Sequence, residues 1–356
     1  MAQLHPTQRQ IAEEAGVSRT TVSFVLNDVP GVRISPETRQ RVLQVAQRLN
    51  YYPDAMARRL ASGKSRIIAV VWHQGPDPSY QDGFLPGALR GITRAAYHYG
   101  YHVLFRPIEP DEPCDGYMEL ARGRHADGII VSGPRSDDTY LLQLHREHFP
   151  LVLHGQLDDP DIPSVDVDNA RSAATAVEHL LSLGHRRIGM ITNAPLAYMV
   201  SRQRLEGYRQ TLEQAELLYD ESLVQLGDFD EESGRAAMER LLDHAEKPTA
   251  IFAASDAVAM GALWAIHDRG LRVPEDIAVI GFDDIPAARF VTPPLTTIRV
   301  PSVGLGWSAA ELVIRLIERD APRETHVLLE TELMVRESCG ASLRSDLQVK
   351  VEDLES

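Results

Sequence analysis

At 356 residues the chain is long enough for two or three domains, and 44% apolar and 24% charged residues is an ordinary soluble globular composition. Its two cysteines, Cys114 and Cys339, exclude a disulfide framework or a four-cysteine zinc site. The net charge of −15 would by itself argue against a nucleic-acid partner.

The distribution of that charge points the other way. Residues 1–66 hold ten Lys/Arg and five acids, a balance of +5, which leaves −20 on the other 290 residues. A basic head on an acidic body is expected when one small module meets phosphate and the rest does not. No run approaches the roughly 18 apolar residues of a membrane span. Residues 1–10 lack the apolar core of a secretion signal, so the expected compartment is the cytoplasm.

Three short helices are predicted first. Thr7 followed by Gln10 makes a capping box that opens a helix running through Glu14. Gly16 suits a left-handed turn. Ser18 caps a second helix over 19–26, with Val22, Val25 and Leu26 facing inward. Ser35, Pro36 and Glu37 start a third, whose buried stripe is Val42, Val45, Ala46 and Leu49. Two helices on a glycine turn, completed by a third, describe a helix-turn-helix module. Its second helix would enter the major groove, bringing Ser18, Arg19, Thr20, Thr21 and Ser23 to the base edges and phosphates. The bland alternative is a helical bundle whose Ser/Thr cluster only caps a helix.

The run from Ile11 to Ser23 (IAEEAGVSRTTVS) resembles the headpiece of the lactose/galactose-repressor family. So do Val25-Leu26-Asn27, Ser35-Pro36-Glu37-Thr38-Arg39, Leu49-Asn50-Tyr51-Tyr52-Pro53 and Ala57-Arg58-Arg59-Leu60-Ala61. The resemblance implies a headpiece over 1–52 and a hinge helix and linker over 53–65. The hinge would fold only on operator DNA, with Asn27, Arg58, Arg59 and Ala61 also at the DNA. Leu60 would be the apolar wedge in a central minor-groove step, offsetting unstacking by the bend it permits. Two hinges side by side require a homodimer on a near-palindromic double-stranded site. Phe24 stands where some relatives carry a polar side chain, so base specificity does not carry over. Gly63-Lys64-Ser65 looks like the tail of a phosphate loop, but Arg58 occupies the upstream glycine position, and the run reads as linker.

Beyond Arg66, short apolar runs alternate with amphipathic helices. Strands are expected at 67–72, 103–105, 128–131, 151–154, 165–167, 188–192, 223–226, 250–253 and 277–280. Helices are expected at 88–99, near 138–148, from 168 to 183, and at 204–214, 231–244 and 257–269. This alternation calls for parallel sheets covered on both faces, and its length calls for two lobes. Gly184-His185-Arg186-Arg187-Ile188-Gly189, Gly281-Phe282-Asp283-Asp284-Ile285 and Thr292-Pro293-Pro294-Leu295 extend the family resemblance. They imply an α/β effector domain over 66–340, like a type I periplasmic binding protein, that also carries the dimer. The lobes would be 66–165 with 296–325, and 166–295 with 326–340. A tail over 341–356 is too short for a tetramerising coiled coil.

Ligands of such folds sit outside the carboxyl ends of the strands. Asp168, Asp256 and Asp283 follow strands there, as do Tyr198, Arg204 and Phe229. Carboxylates accept from sugar hydroxyls, a guanidinium donates a fork, and aromatic faces cover a ring. Asp168 and Asp256 read equally well as helix caps. The resemblance adds Phe84 and Leu85 from the facing lobe and favours ligand contact at Arg204 and Asp283. Trp72 and Tyr80 are weaker candidates. His145 and His148 lie three apart without a third metal ligand, so no metal or other cofactor is expected, and no catalytic constellation is present. The expectation is a repressor, not an enzyme, whose operator affinity follows a small metabolite such as a sugar. A transporter's solute-binding protein is the alternative.

Overall fold

The computed structural model describes residues 6–26, 31–51, 64–72, 83–108, 116–159, 161–320 and 322–341. The chain divides into two compact units, Met1–Ser65 and Arg66–Ser356.

In the first unit α1 (Gln8–Ala15), α2 (Arg19–Leu26) and α3 (Pro36–Arg48) enclose a small core. The capping box is present: Gln10 N donates to Thr7 Oγ1 at 3.4 Å, and Thr7 N donates to Gln10 Oε1 at 2.8 Å. Gly16 ends α1 at φ +64°, a left-handed conformation that costs glycine nothing. Ser18 then accepts from Thr21 N at 3.0 Å and opens α2, and Ser35 accepts from Thr38 N at 3.2 Å to open α3. Ile11, Val22, Val25, Val42 and Val45 meet in the core. Arg41 Nε donates to the Ala15 carbonyl at 2.8 Å and ties α3 to the end of α1.

The second unit holds two six-stranded sheets. The first lobe contains β1 (Ile67–Trp72), α4 (Phe84–His98), β2 (His102–Pro107), α5 (Gly116–Arg122), β3 (Gly128–Ser132), α6 (Thr139–Arg146), β4 (Leu151–His154) and β5 (Ser164–Val167). The second contains α7 (Asn169–Ser182), β6 (Ile188–Ile191), α8 (Met199–Gln214), β7 (Val224–Gln225), α9 (Glu231–Leu242), β8 (Ala250–Ala253), α10 (Asp256–Asp268), β9 (Ala278–Asp283) and β10 (Thr296–Arg299). Then follow α11 (Ser302–Glu318), β11 (His326–Leu329) and β12 (Glu332–Met334). Strand order is β11-β5-β4-β3-β1-β2 in one sheet and β12-β10-β9-β8-β6-β7 in the other. Among the described residues every pairing between these strands is parallel except β10 with β12. The central strands β3, β4, β6 and β8 are buried along their whole length, as strands covered on both faces must be.

The expected lobe boundaries move. β10 pairs with β9, Ile298 opposite Phe282, and so belongs to the second lobe; β11 pairs with β5 and belongs to the first. The crossings fall after β5, after β10 and after β11. Four-residue strands such as Thr296–Arg299 and His326–Leu329 carry no mark of the sheet they join; hydrogen-bond register with the neighbour decides. Helix α11 lies against α4 so closely that a Cβ on Gly306 would stand 2.1 Å from the Ala88 carbonyl oxygen, and one on Gly91 2.1 Å from that of Val303. Elsewhere α4 starts four residues before the expected helix, β7 shrinks to two residues, and α5 had no sequence counterpart.

Candidate ligand cleft and DNA-reading helix

On the first unit, Ser18, Arg19 and Thr20 are exposed, while Thr21 and Ser23 are half-buried. The Ser18 and Thr21 hydroxyls bond each other at 2.9 Å, so both first serve the helix start. Arg19 and Thr20 are the exposed pair at the start of α2. Phe24 is half-buried and stands outside the headpiece core. Asn27, Arg58, Arg59, Leu60 and Ala61 lie outside the described residues.

On the second unit, parallel strands end together, and their carboxyl ends frame a cleft of about 850 Å³ including its mouth. Trp72 ends β1, Ser132 ends β3 and His154 ends β4; Asp166 lies within β5. From the other lobe come Asn193 after β6, Tyr198 and Arg204 around the start of α8, Phe229 after β7, Ser255 after β8 and Asp283 at the end of β9. Phe84 enters from the first turn of α4.

Arg204 is held from several sides. Its Nε donates to Asn169 Oδ1 at 3.0 Å, Nη1 donates to the Ala254 carbonyl, and Cζ lies 3.7 Å from the Phe282 ring centroid. Nη2 stands 3.9 Å from Asp283 Oδ1, and the side chain is only 8% exposed. Asn169 passes the network on, donating to Asp166 Oδ2 at 3.0 Å. Burial pushes the Asp166 carboxyl up to about 6, against the opposing pull of the Val167 amide and Arg204. His154 stacks on Phe84 with centroids 5.6 Å apart, and its Nδ1 lies 2.9 Å from Ser132 Oγ. Burial pushes that imidazole down to about 4, so it is neutral near pH 7. Tyr198 meets Phe229 edge to face at 4.9 Å. Asp283 has φ +113° and is followed by buried Asp284, which Arg299 Nε holds at 2.7 Å and Arg336 also pairs. That anchor fixes where the Asp283 carboxylate points.

Of the sequence candidates, Phe84, Tyr198, Arg204, Phe229, Asp283 and Trp72 line the cleft. Leu85, Asp168 and Asp256 are not part of its lining. Leu85 follows Phe84 on α4 and is turned about 100° around the helix axis. Asp168 is exposed and caps α7, accepting from Arg171 N at 2.9 Å. Asp256 is fully buried, accepting from Thr297 Oγ1 at 2.6 Å and Ile285 N at 2.9 Å. Tyr80 lies outside the described residues. The sequence reading missed Asp166, Asn169, His154 and Asn193. A carboxylate between Val165 and Val167 in a strand was the available signal; Asn169 and Asn193 gave none. Among the described residues no three His, Cys, Asp or Glu are grouped to hold a metal, and no helix is long and apolar enough to cross a membrane.

Residues 7–54 match the family model for bacterial regulatory proteins of the lacI family, and residues 177–339 match a periplasmic binding protein-like domain. The HTH-type transcriptional regulator CelR of Thermobifida fusca is 35% identical over 339 residues, covering 94% of this chain and 98% of that protein. Among solved structures, the CelR–cellobiose complex is similar at TM-score 0.72 and 34% identity, covering 94% of this chain and 99% of that one. The lac repressor dimer bound to operator and the anti-inducer ONPF is similar at TM-score 0.82 and 28% identity, with the same coverage. No feature of the headpiece fits a transporter's solute-binding protein. The chain belongs to the lacI family of bacterial regulatory proteins and is a DNA-binding transcriptional regulator with a periplasmic-binding-protein-like effector domain.

Proposed function

We propose that the chain is a homodimeric repressor whose operator affinity is set by a small polyhydroxylated metabolite, a sugar, bound between the two lobes. One observation carries the reading: the cleft gathers two carboxylates, two carboxamides or hydroxyls on each wall, one guanidinium and several aromatic rings, a set suited to hydroxyls and ring faces. Phe84, Tyr198, Arg204, Phe229 and Asp283 would contact the ligand, with Asp166 and His154 beside them. That CelR was solved with cellobiose supports a sugar, and that the lac repressor was solved as a dimer on operator supports the assembly. Arg19, Thr20 and Ser23 would read the major groove, with Ser18 and Thr21 at the phosphates and Asn27 beside them. Arg58, Arg59, Leu60 and Ala61 would enter the minor groove. Because the relatives are regulators, no catalytic role is assigned, and the work is done on DNA in the cytoplasm.

Ligand binding would change the lobe geometry and so the pairing of the hinges; linkage requires that operator change ligand affinity by the same factor. A mobility-shift titration on palindromic duplexes, with and without a saccharide panel, tests this. Leu60→Ala should weaken specific binding by about tenfold or more and leave nonspecific binding intact. Unchanged specificity would overturn the hinge assignment, and indifference of operator affinity to every saccharide would overturn the switch.

A further inference from the structure

We propose that the cleft accepts an uncharged polyhydroxylated ring compound and rejects its phosphorylated and carboxylated forms, because Asp166 and Asp283 flank a single guanidinium, Arg204, already committed to protein partners. This deepens the sugar reading above and rests on it.

The lining holds two carboxylates against one guanidinium, and Arg204 is its only Lys or Arg among the described residues. Anion sites ordinarily offer a guanidinium fork or an ammonium with its donors turned to the ligand. Arg204 instead spends Nε on Asn169 and Nη1 on the Ala254 carbonyl, has one face over Phe282, and turns Nη2 to Asp283. A phosphate could reach it only by displacing the Asp283 carboxylate, which Asp284 and its arginines hold in place through the backbone.

Hydrogen-bond polarity points the same way. An ionised carboxylate accepts only. Asp166 and Asp283 therefore call for hydroxyl donors, which a sugar ring has and a phosphate dianion lacks. His154 adds no positive charge, since burial keeps its ring neutral. The amino ends of α4, α8, α10 and α11 also reach the cleft, each worth at most about half a positive charge. Together these partial charges do no more than balance the two lining acids, so a dianion meets no surplus positive charge beyond the committed Arg204. Like charge brought against buried carboxylates is repelled strongly enough for about a hundredfold discrimination or more.

The test uses the full-length protein and isothermal titration calorimetry. Probes are glucose, galactose, maltose and cellobiose, each paired with its 6-phosphate, plus glucuronate and galacturonate. The expected result is binding of at least one neutral sugar, with its phosphate or uronate partner about a hundredfold weaker. Asp283→Asn should narrow that preference by about tenfold, because it removes the negative charge and leaves Arg204 available. Asp166→Asn should narrow it independently, and Asp168→Asn, at an exposed helix cap, should not. Tighter binding of any phosphorylated or carboxylated probe, silence of the whole neutral set, or an unchanged preference in both cleft variants overturns the proposal. Operator shifts on the same samples separate the two readings. A neutral sugar that binds without altering operator affinity defeats only the switch; an operator response confined to anionic probes defeats only the charge selection.

Discussion

Arg135 of the first lobe lies over the ring of Tyr198 in the second, Cζ to centroid 5.2 Å, and the two backbones form an antiparallel bridge. Ser136 donates to the Ala197 carbonyl twice, from N at 3.0 Å and from Oγ at 3.1 Å. Gln203 Nε2 adds a further cross-lobe bond to Gln156 at 3.1 Å. The lobes are thus fastened on the side where Tyr198 covers the cleft. Tyr198 in turn presses edge-on against Phe229.

Arg135→Ala removes the cation over Tyr198 while leaving the Ser136 bonds in place. Ligand release should speed up by about tenfold, with association nearly unchanged, as most affinity changes within one site appear in the off-rate. Stopped-flow fluorescence with the bound saccharide measures both constants. Equal rates in variant and wild type would mean that the Ser136 bonds alone hold the mouth.

Asp256 gives a pH signature. Burial raises its carboxyl to about 7, well above the ordinary aspartate value, so the protonated form is favoured in the folded chain. Its stabilising contribution is complete below the unfolded value near 4 and is lost as pH rises through about 7. Asp166, raised to about 6, acts in the same direction. Asp256→Asn should therefore gain stability relative to wild type between pH 4 and 8, by on the order of 3–4 kcal/mol. Urea unfolding of both proteins at each pH reads the difference directly.

The contact of α4 with α11 leaves no space at Gly306. Gly306→Ala must drive the methyl group into the Ala88 carbonyl or push the helices apart. A loss of about 3 kcal/mol is expected, since neither neighbour is a flexible side-chain end. Thermal unfolding should show it in the effector unit, with the headpiece transition unmoved.

Ser18 and Arg19 are adjacent but should separate in experiment. Ser18→Ala removes the bond to Thr21 N and should cost the headpiece about 1 kcal/mol. Arg19 is exposed, so Arg19→Ala should leave headpiece stability alone and weaken specific operator binding by about 1–3 kcal/mol. If Arg19 reads a base, the salt dependence of binding should be unchanged; loss of about one phosphate contact from the slope would place it on the backbone.

The amino-acid order by itself determined the elements that rest on local physics. Thr7–Gln10, Gly16, Ser18 and Ser35 mark headpiece helix ends because caps and left-handed turns are settled within a few residues. The apolar strands of the body are legible because parallel strands are buried on both faces. Tertiary structure alone decided what depends on distant neighbours. Whether β10 joins one lobe or the other is a matter of register with β9. Asp166 lines the cleft and Asp168 caps a helix, although only Val167 separates them, because one lies within a strand that reaches the cleft and the other begins a helix. Asp256, one residue after Ser255 of the cleft lining, is turned inward to Thr297 and Ile285, forty-one and twenty-nine positions away. Side-chain chemistry can be read along the chain, but the direction in which a side chain points is set by residues that only folding brings near.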